Sequence, residues 1–189
     1  PLIDQYVAEI KMIIEAEELK EAIICGYSAG CMIAQQFALT YPALTKALIL
    51  SGGYPKVATI GLDLQYRIGM KILESSPEKL AKILAFSHAR ENDFRDELYH
   101  HMEYCKLTHW YLFYKETHEY NCINKLKYID KPLLNIYGEH AFWINKHNYY
   151  YNRTLTNQTI YINNGFHQLP TKNWQAFNHI IHQYIDSIC

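Results

Sequence analysis

Ala22-Ile23-Ile24-Cys25-Gly26-Tyr27-Ser28-Ala29-Gly30 is the stretch on which the reading of the whole chain turns. Its first four residues form a short continuous apolar run that ends at a glycine, the pattern of a strand buried on both faces of a parallel sheet. A helix is predicted from about Ser28 to Thr40, with Met32, Ile33 and Phe37 inward and Tyr41-Pro42 stopping it. The intervening G-x-S-x-G therefore sits where a buried strand turns directly into a helix. A turn that tight holds a serine in a strained conformation with its hydroxyl exposed, while flanking glycines let neighbouring backbone approach. The amide of Ala29, at the helix N-terminus, would face a negative oxygen forming beside Ser28. Without strand and helix around it, the same pentapeptide is an ordinary glycine-rich turn.

Outward from this stretch the periodicity alternates. Ile3, Tyr6, Val7, Ile10, Ile13 and Ile14 mark an amphipathic helix over Leu2 to Leu19. Ala47-Leu48-Ile49-Leu50 repeats the buried-strand pattern before Ser51-Gly52-Gly53. From Tyr54 to about Asn124 only helical spacings occur: Leu64, Ile68 and Ile72; Leu80, Ile83 and Leu84 after the N-cap Ser76 and Pro77; Phe94, Leu98 and Met102; Trp110, Phe113 and Tyr114. Strands resume at Leu133 to Tyr137, ending at Gly138, and at Thr159 to Ile162. Trp174, Phe177, Ile180, Ile181 and Tyr184 mark a last helix. Helices alternating with short apolar strands predict an α/β parallel sheet of about four strands, residues 1–53 and 125–189, interrupted by an all-helical cap over 54–124.

Composition narrows the function classes. The 189 residues suit one domain. With 49% hydrophobic and 20% charged residues, and 18 basic against 19 acidic side chains, the chain reads as globular and near neutral. Such a balance lacks the basic footprint of a nucleic-acid or anionic-membrane binder. No apolar run approaches the ~20 residues of a membrane span. The opening Pro1-Leu2-Ile3-Asp4 lacks a secretory signal pattern and an initiator Met, which predicts a cytoplasmic chain that is processed or a fragment. The five cysteines, Cys25, Cys31, Cys105, Cys122 and Cys189, show no C-x-x-C spacing, so reduced thiols are expected. Tyrosine is abundant, with 17 copies, and collects with histidine between Tyr99 and Tyr120 and again at Tyr149-Tyr150-Tyr151, where it suits half-buried pocket walls unless it is only a compositional bias. The ten histidines include His100-His101, His109, His118, His179 and His182, but no H-E-x-x-H or other ligand spacing points to a metal.

A serine needs a base to take its proton. His167 follows the Thr159 to Ile162 strand through Asn163-Asn164-Gly165-Phe166, which puts it at the carboxyl end of that strand. In a parallel sheet all carboxyl ends lie together, so His167 can meet Ser28 across the intervening sequence.

Taken with Gly26 to Gly30, the Ala47 to Leu50 strand, the helical segment, Pro132 to Gly138 and Gly165-Phe166-His167-Gln168-Leu169-Pro170, the chain resembles the α/β-hydrolase superfamily. The resemblance implies a serine hydrolase with Ser28 as nucleophile, His167 as base, the Ala29 amide as oxyanion donor, no cofactor, and a small-molecule acyl substrate. It also implies an aspartate a few residues beyond Gly138, where this sequence has Ala141 in Gly138-Glu139-His140-Ala141. From His140 through Ile185 there is no Asp or Glu, which leaves Glu139 as the acid on that loop, Asp63 as a second candidate and acidic residues of the cap as a third. Asp130 is at the wrong end of its strand. Strands that precede the nucleophile strand in the family have no counterpart here, nor does the loop supplying the other oxyanion amide. The expectation is that these residues are the C-terminal portion of a longer chain, or that a partner or second copy covers the exposed edge. The alternatives to a hydrolase are a binding or interaction protein that keeps the fold without a complete triad, and an enzyme passing the acyl group to a nucleophile other than water.

Overall fold

The computed structural model describes residues 1–188; Cys189 lies outside them. Helix α1 (Leu2–Ala16) leads to strand β1 (Ala22–Tyr27), helix α2 (Gly30–Thr40) and strand β2 (Thr45–Ser51). Four helices follow, α3 (Ile60–Ser75), α4 (Pro77–His88), α5 (Asn92–Glu103) and α6 (Leu107–Glu119). Strand β3 (Leu133–Gly138), short helices α7 (Phe142–Asn145) and α8 (Asn148–Tyr151), strand β4 (Asn157–Ile162), short helix α9 (Leu169–Lys172) and helix α10 (Trp174–Ile188) complete the order. The strands form one parallel sheet in the order β1-β2-β3-β4.

Alternation along β2 builds two cores, one on each face of the sheet. Leu48 and Leu50 pack with Ile3, Val7, Ala34 and Phe37 of α1 and α2, while Ala47 and Ile49 pack with Ile136, Phe177 and Tyr184 toward α10. Each fully buried aliphatic or aromatic side chain contributes about 1.5–3 kcal/mol, so the sheet is held from both sides. The expectation that β1 is buried on both faces needs correction. Ile24 and Gly26 are buried, but Cys25 is exposed and Ile23 only half-buried, because side chains alternate across the strand and the face toward α1 and α2 is covered while the face toward α10 is covered only in part. Ser76 also makes no side-chain cap bond; Pro77, at the first helical position of α4, sets that start instead. Cys25, Cys31, Cys105 and Cys122 carry free thiols.

The helical segment leaves the sheet after β2 and returns at nearly the same place. Lys56 and Asn121 form an isolated antiparallel bridge, and the Cys122 amide donates to the Pro55 carbonyl at 3.0 Å. Its helices therefore lie over the carboxyl end of the sheet, where Ser28, Gly52, Gly138 and His167 gather. No helix among the described residues is long and apolar enough to cross a membrane.

Candidate active site

Ser28 has φ of +52°, a left-handed conformation that costs a side-chain-bearing residue about 1–3 kcal/mol and persists only where its surroundings impose it. Two hydrogen bonds do so here. The Ser28 amide donates to the Ser51 carbonyl at the end of β2 (2.9 Å), and the Ser28 carbonyl accepts from Cys31 in the first turn of α2 (3.0 Å). The two motif glycines have different reasons. A Cβ on Gly26 would lie 2.7 Å from the Cys31 Cα, so the start of α2 lies directly on Gly26. A Cβ on Gly30 would meet nothing within 4 Å, so the close approach expected of both glycines holds at Gly26 alone. Ala29 is the N-cap residue of α2, and its carbonyl accepts from Met32 at 3.0 Å.

The loop bearing His167 is laced to the exit of β3. Glu139 N donates to the Ile162 carbonyl (3.0 Å), His140 N to the Gly165 carbonyl (2.8 Å), and a Cβ on Gly138 would collide with the Phe166 carbonyl at 2.1 Å. This seam carries His167 to Ser28, and the Ser28 Oγ lies 2.8 Å from the His167 Nε2. Burial, followed by the nearby His88, pushes the His167 pKa down to about 4, so the ring is neutral near pH 7.

The acid candidates are not brought to His167. Glu139 is exposed, and its carboxylate accepts from the Asn164 amide at 2.9 Å. Asp63 is engaged within the helical segment, accepting from Arg67 Nε and bonding His118 Nε2, both at 2.7 Å. Among the described residues, the His167 Nδ1 is buried without a hydrogen-bond partner. Nothing on Nδ1 therefore selects the ring's tautomer. With the proton on Nδ1, Nε2 accepts from Ser28; with it on Nε2, the ring donates to Ser28 and cannot take its proton.

Ser28 and His167 open into a cavity of about 860 Å³ under the helical segment. Leu62 and Ile72 of α3, Leu84 of α4, and Trp110 and Phe113 of α6 form much of its wall, and no Asp, Glu, Lys or Arg lines it among the described residues. Tyr27, Tyr54, Tyr66 and Tyr114 lie in the wall; of the two tyrosine-rich stretches, the first supplies Tyr114, whereas Tyr104 and Tyr149 are exposed. Sequence reasoning passed over His88, which lines the cavity beside His167. Its signal was present: Leu80, Leu84 and His88 recur every fourth residue along α4 and share one face. No group of three or more metal-ligating side chains occurs among the described residues.

No protein-family model matches the chain, and no curated protein does. Solved structures do. An esterase from Exiguobacterium antarcticum superimposes with a TM-score of 0.86 at 12% identity, covering 98% of this chain and 76% of the esterase. A carboxylesterase structure from Nitrososphaera gargenis gives 0.81 at 11% identity, with 98% and 72% covered. This chain has the α/β-hydrolase fold. A bromoperoxidase from Bacillus anthracis matches comparably, with a TM-score of 0.83 at 13% identity over 97% of this chain and 74% of that one. The α/β-hydrolase fold thus houses differently named activities among these neighbours, and the site must argue the chemistry here.

Proposed function

We propose that the protein is a serine hydrolase acting on uncharged esters with an apolar acyl group, through an acyl-enzyme. The observation that carries this reading is the 2.8 Å contact between Ser28 Oγ and His167 Nε2 at the base of an apolar cavity. Ser28 Oγ attacks the acyl carbon as its proton passes to His167 Nε2, and the Ala29 amide receives the developing oxyanion. The imidazolium returns the proton to the departing alkoxide. Water then attacks the acyl-enzyme with His167 again as base, releasing the acid and restoring Ser28. A wall without Asp, Glu, Lys or Arg among the described residues favours neutral substrates, because a charge entering it would lose hydration without a counter-charge. The esterase and carboxylesterase among the structural neighbours agree with this class.

The pH profile tests the reading. His167 must be neutral to accept the proton, and its pKa lies at about 4 instead of the usual value near ~6.5. Turnover of a p-nitrophenyl ester is expected to hold its acid limb near pH 4, in the range where the protein stays folded. A limb near pH 6.5 would remove His167, in this environment, from the role of base. Folding stability carries the same signature: between ~6.5 and about 4 the unfolded chain binds the extra proton, so this group's contribution declines as pH falls through that window.

Under this proposal the helical segment sets acyl preference. Trp110→Ala or Phe113→Ala is expected to shift the kcat/KM ratio between p-nitrophenyl octanoate and acetate by about 10-fold, since each methylene contact in such a pocket is worth ~1–3 kcal/mol. The rate of labelling by a small fluorophosphonate should change less than about threefold, a discrimination of under ~1 kcal/mol. Loss of labelling in a folded variant would overturn that division of roles.

A second reading is favoured by one observation, the unpartnered Nδ1 of His167. It makes the protein a binding module of the same fold, in which apolar ligands occupy the cavity and Ser28 turns nothing over. Saturable binding of a fluorescent fatty ester, with no release of its acid over hours, would support that reading against the first.

A further inference from the structure

An imidazole that meets no carboxylate on Nδ1 among the described residues still has to be held at the nucleophile, and the structure shows two groups that hold it. One is the backbone of Gly52, at φ of +61°: a Cβ there would lie 2.6 Å from both Cε1 and Nδ1 of His167, so the ring rests on that α-carbon. The other is Tyr27, whose ring centroid lies 5.2 Å from that of His167 with 31° between the planes. Tyr27 is itself tied down, for its hydroxyl lies 3.2 Å from the His88 Nε2 of α4. His88 Nδ1 lies 2.8 Å from the Leu84 carbonyl, which can only accept, so the proton sits on Nδ1 and the free Nε2 accepts from the tyrosine. The Ser87 Oγ, 2.9 Å from His88 Nδ1, closes the same cluster.

We propose that Tyr27, anchored by His88 of α4, is a positioning residue for His167 and takes over the orienting part of the missing acid's task. This inference rests on the serine-hydrolase reading above. Orientation and proton placement are thereby divided: Tyr27 and Gly52 confine the ring to an angle that meets Ser28, while neither bonds Nδ1 or chooses the tautomer. Confinement of this kind matters because a misplacement of ~1 Å at reacting groups costs about 100-fold in rate. The pair also joins the helical segment to the residue immediately before the nucleophile, so α4 takes part in shaping the site as well as roofing it.

Steady-state kinetics on p-nitrophenyl butyrate test the pair. Tyr27→Phe, which keeps the ring and removes only the anchor, is expected to lower kcat about 10-fold with KM changed less than twofold. His88→Ala should lower it equally, and the double variant should be no worse than either alone, because the two residues act as one unit. His88→Gln, which retains an acceptor, should recover much of the loss, and if His88→Ala does not fold, His88→Leu, which fills the space without an acceptor, takes its place with the same expected loss. Wild-type kcat in both single variants would overturn the inference, as would losses that multiply in the double variant or appear in KM. If instead Ser28→Ala turns over the ester as well as the wild type, the hydrolase reading itself has failed, which the Tyr27 and His88 variants alone could not show.

Discussion

Ser28→Ala is expected to abolish covalent labelling by a fluorophosphonate and to lower kcat on a p-nitrophenyl ester by about 10²-fold, since triad losses do not multiply and the share that an acid on His167 would add is already absent. Such probes need a serine whose proton has somewhere to go. Among the described residues, Ser28 alone combines a left-handed backbone, an open cavity before it and an imidazole nitrogen 2.8 Å from its hydroxyl. Alanine at position 28 removes the attacking oxygen and adds nothing that could replace it. The hydrogen bonds that hold the turn come from backbone atoms of residue 28, so the fold should survive the substitution and a loss of labelling can be read as chemistry. Labelling that persists in Ser28→Ala, mapped to another residue by mass spectrometry, would sink the assignment of the nucleophile.

Ala141→Asp should move activity in the opposite direction. In a Ser-His-Asp site the carboxylate selects the productive tautomer and stabilises the imidazolium, and its loss costs about 10⁴-fold in kcat. Ala141 is buried at the wall of the cavity, three residues past the end of β3, on the loop laced to the segment carrying His167. A carboxylate there is expected to raise kcat by about 10²-fold, short of the full effect because the surrounding apolar contacts have to yield. Glu139→Gln should change kcat less than about threefold, since an amide oxygen can still accept from Asn164 and a single exposed bond of this kind is worth ~1 kcal/mol or less. A large loss in Glu139→Gln, with no gain in Ala141→Asp, would mean that Glu139 reaches His167 during turnover.

The architecture was legible because its signals are local. Leu48 and Leu50 on one face and Ala47 and Ile49 on the other are adjacent in the chain, and the pleat alone sends them into different cores. The four helices after β2 announced themselves by spacing, and Ser28 by a pentapeptide between a strand and a helix. His167 needed one further rule, that parallel strands share their carboxyl ends, and the contact with Ser28 across 139 positions agrees with it.

The direction of a side chain at a loop is set by partners distant in sequence. Glu139 stood beside the expected acid position, yet the Asn164 amide takes its carboxylate. Asp63 was a candidate by its place in the segment after the Ala47 to Leu50 strand, and Arg67 and His118 hold it elsewhere. Gly52 seemed only to close a strand, but its missing side chain makes room for the His167 ring. His88 reaches Tyr27 only because α4 folds back over the sheet. Hydrophobic periodicity reports which face of an element is buried, so sequence by itself determined the layers, the strand-turn-helix at Ser28 and the arrival of His167. Which polar atoms meet depends on distances between loops, and only the tertiary structure decided that, among the described residues, His167 has Tyr27 and Gly52 for neighbours and no carboxylate.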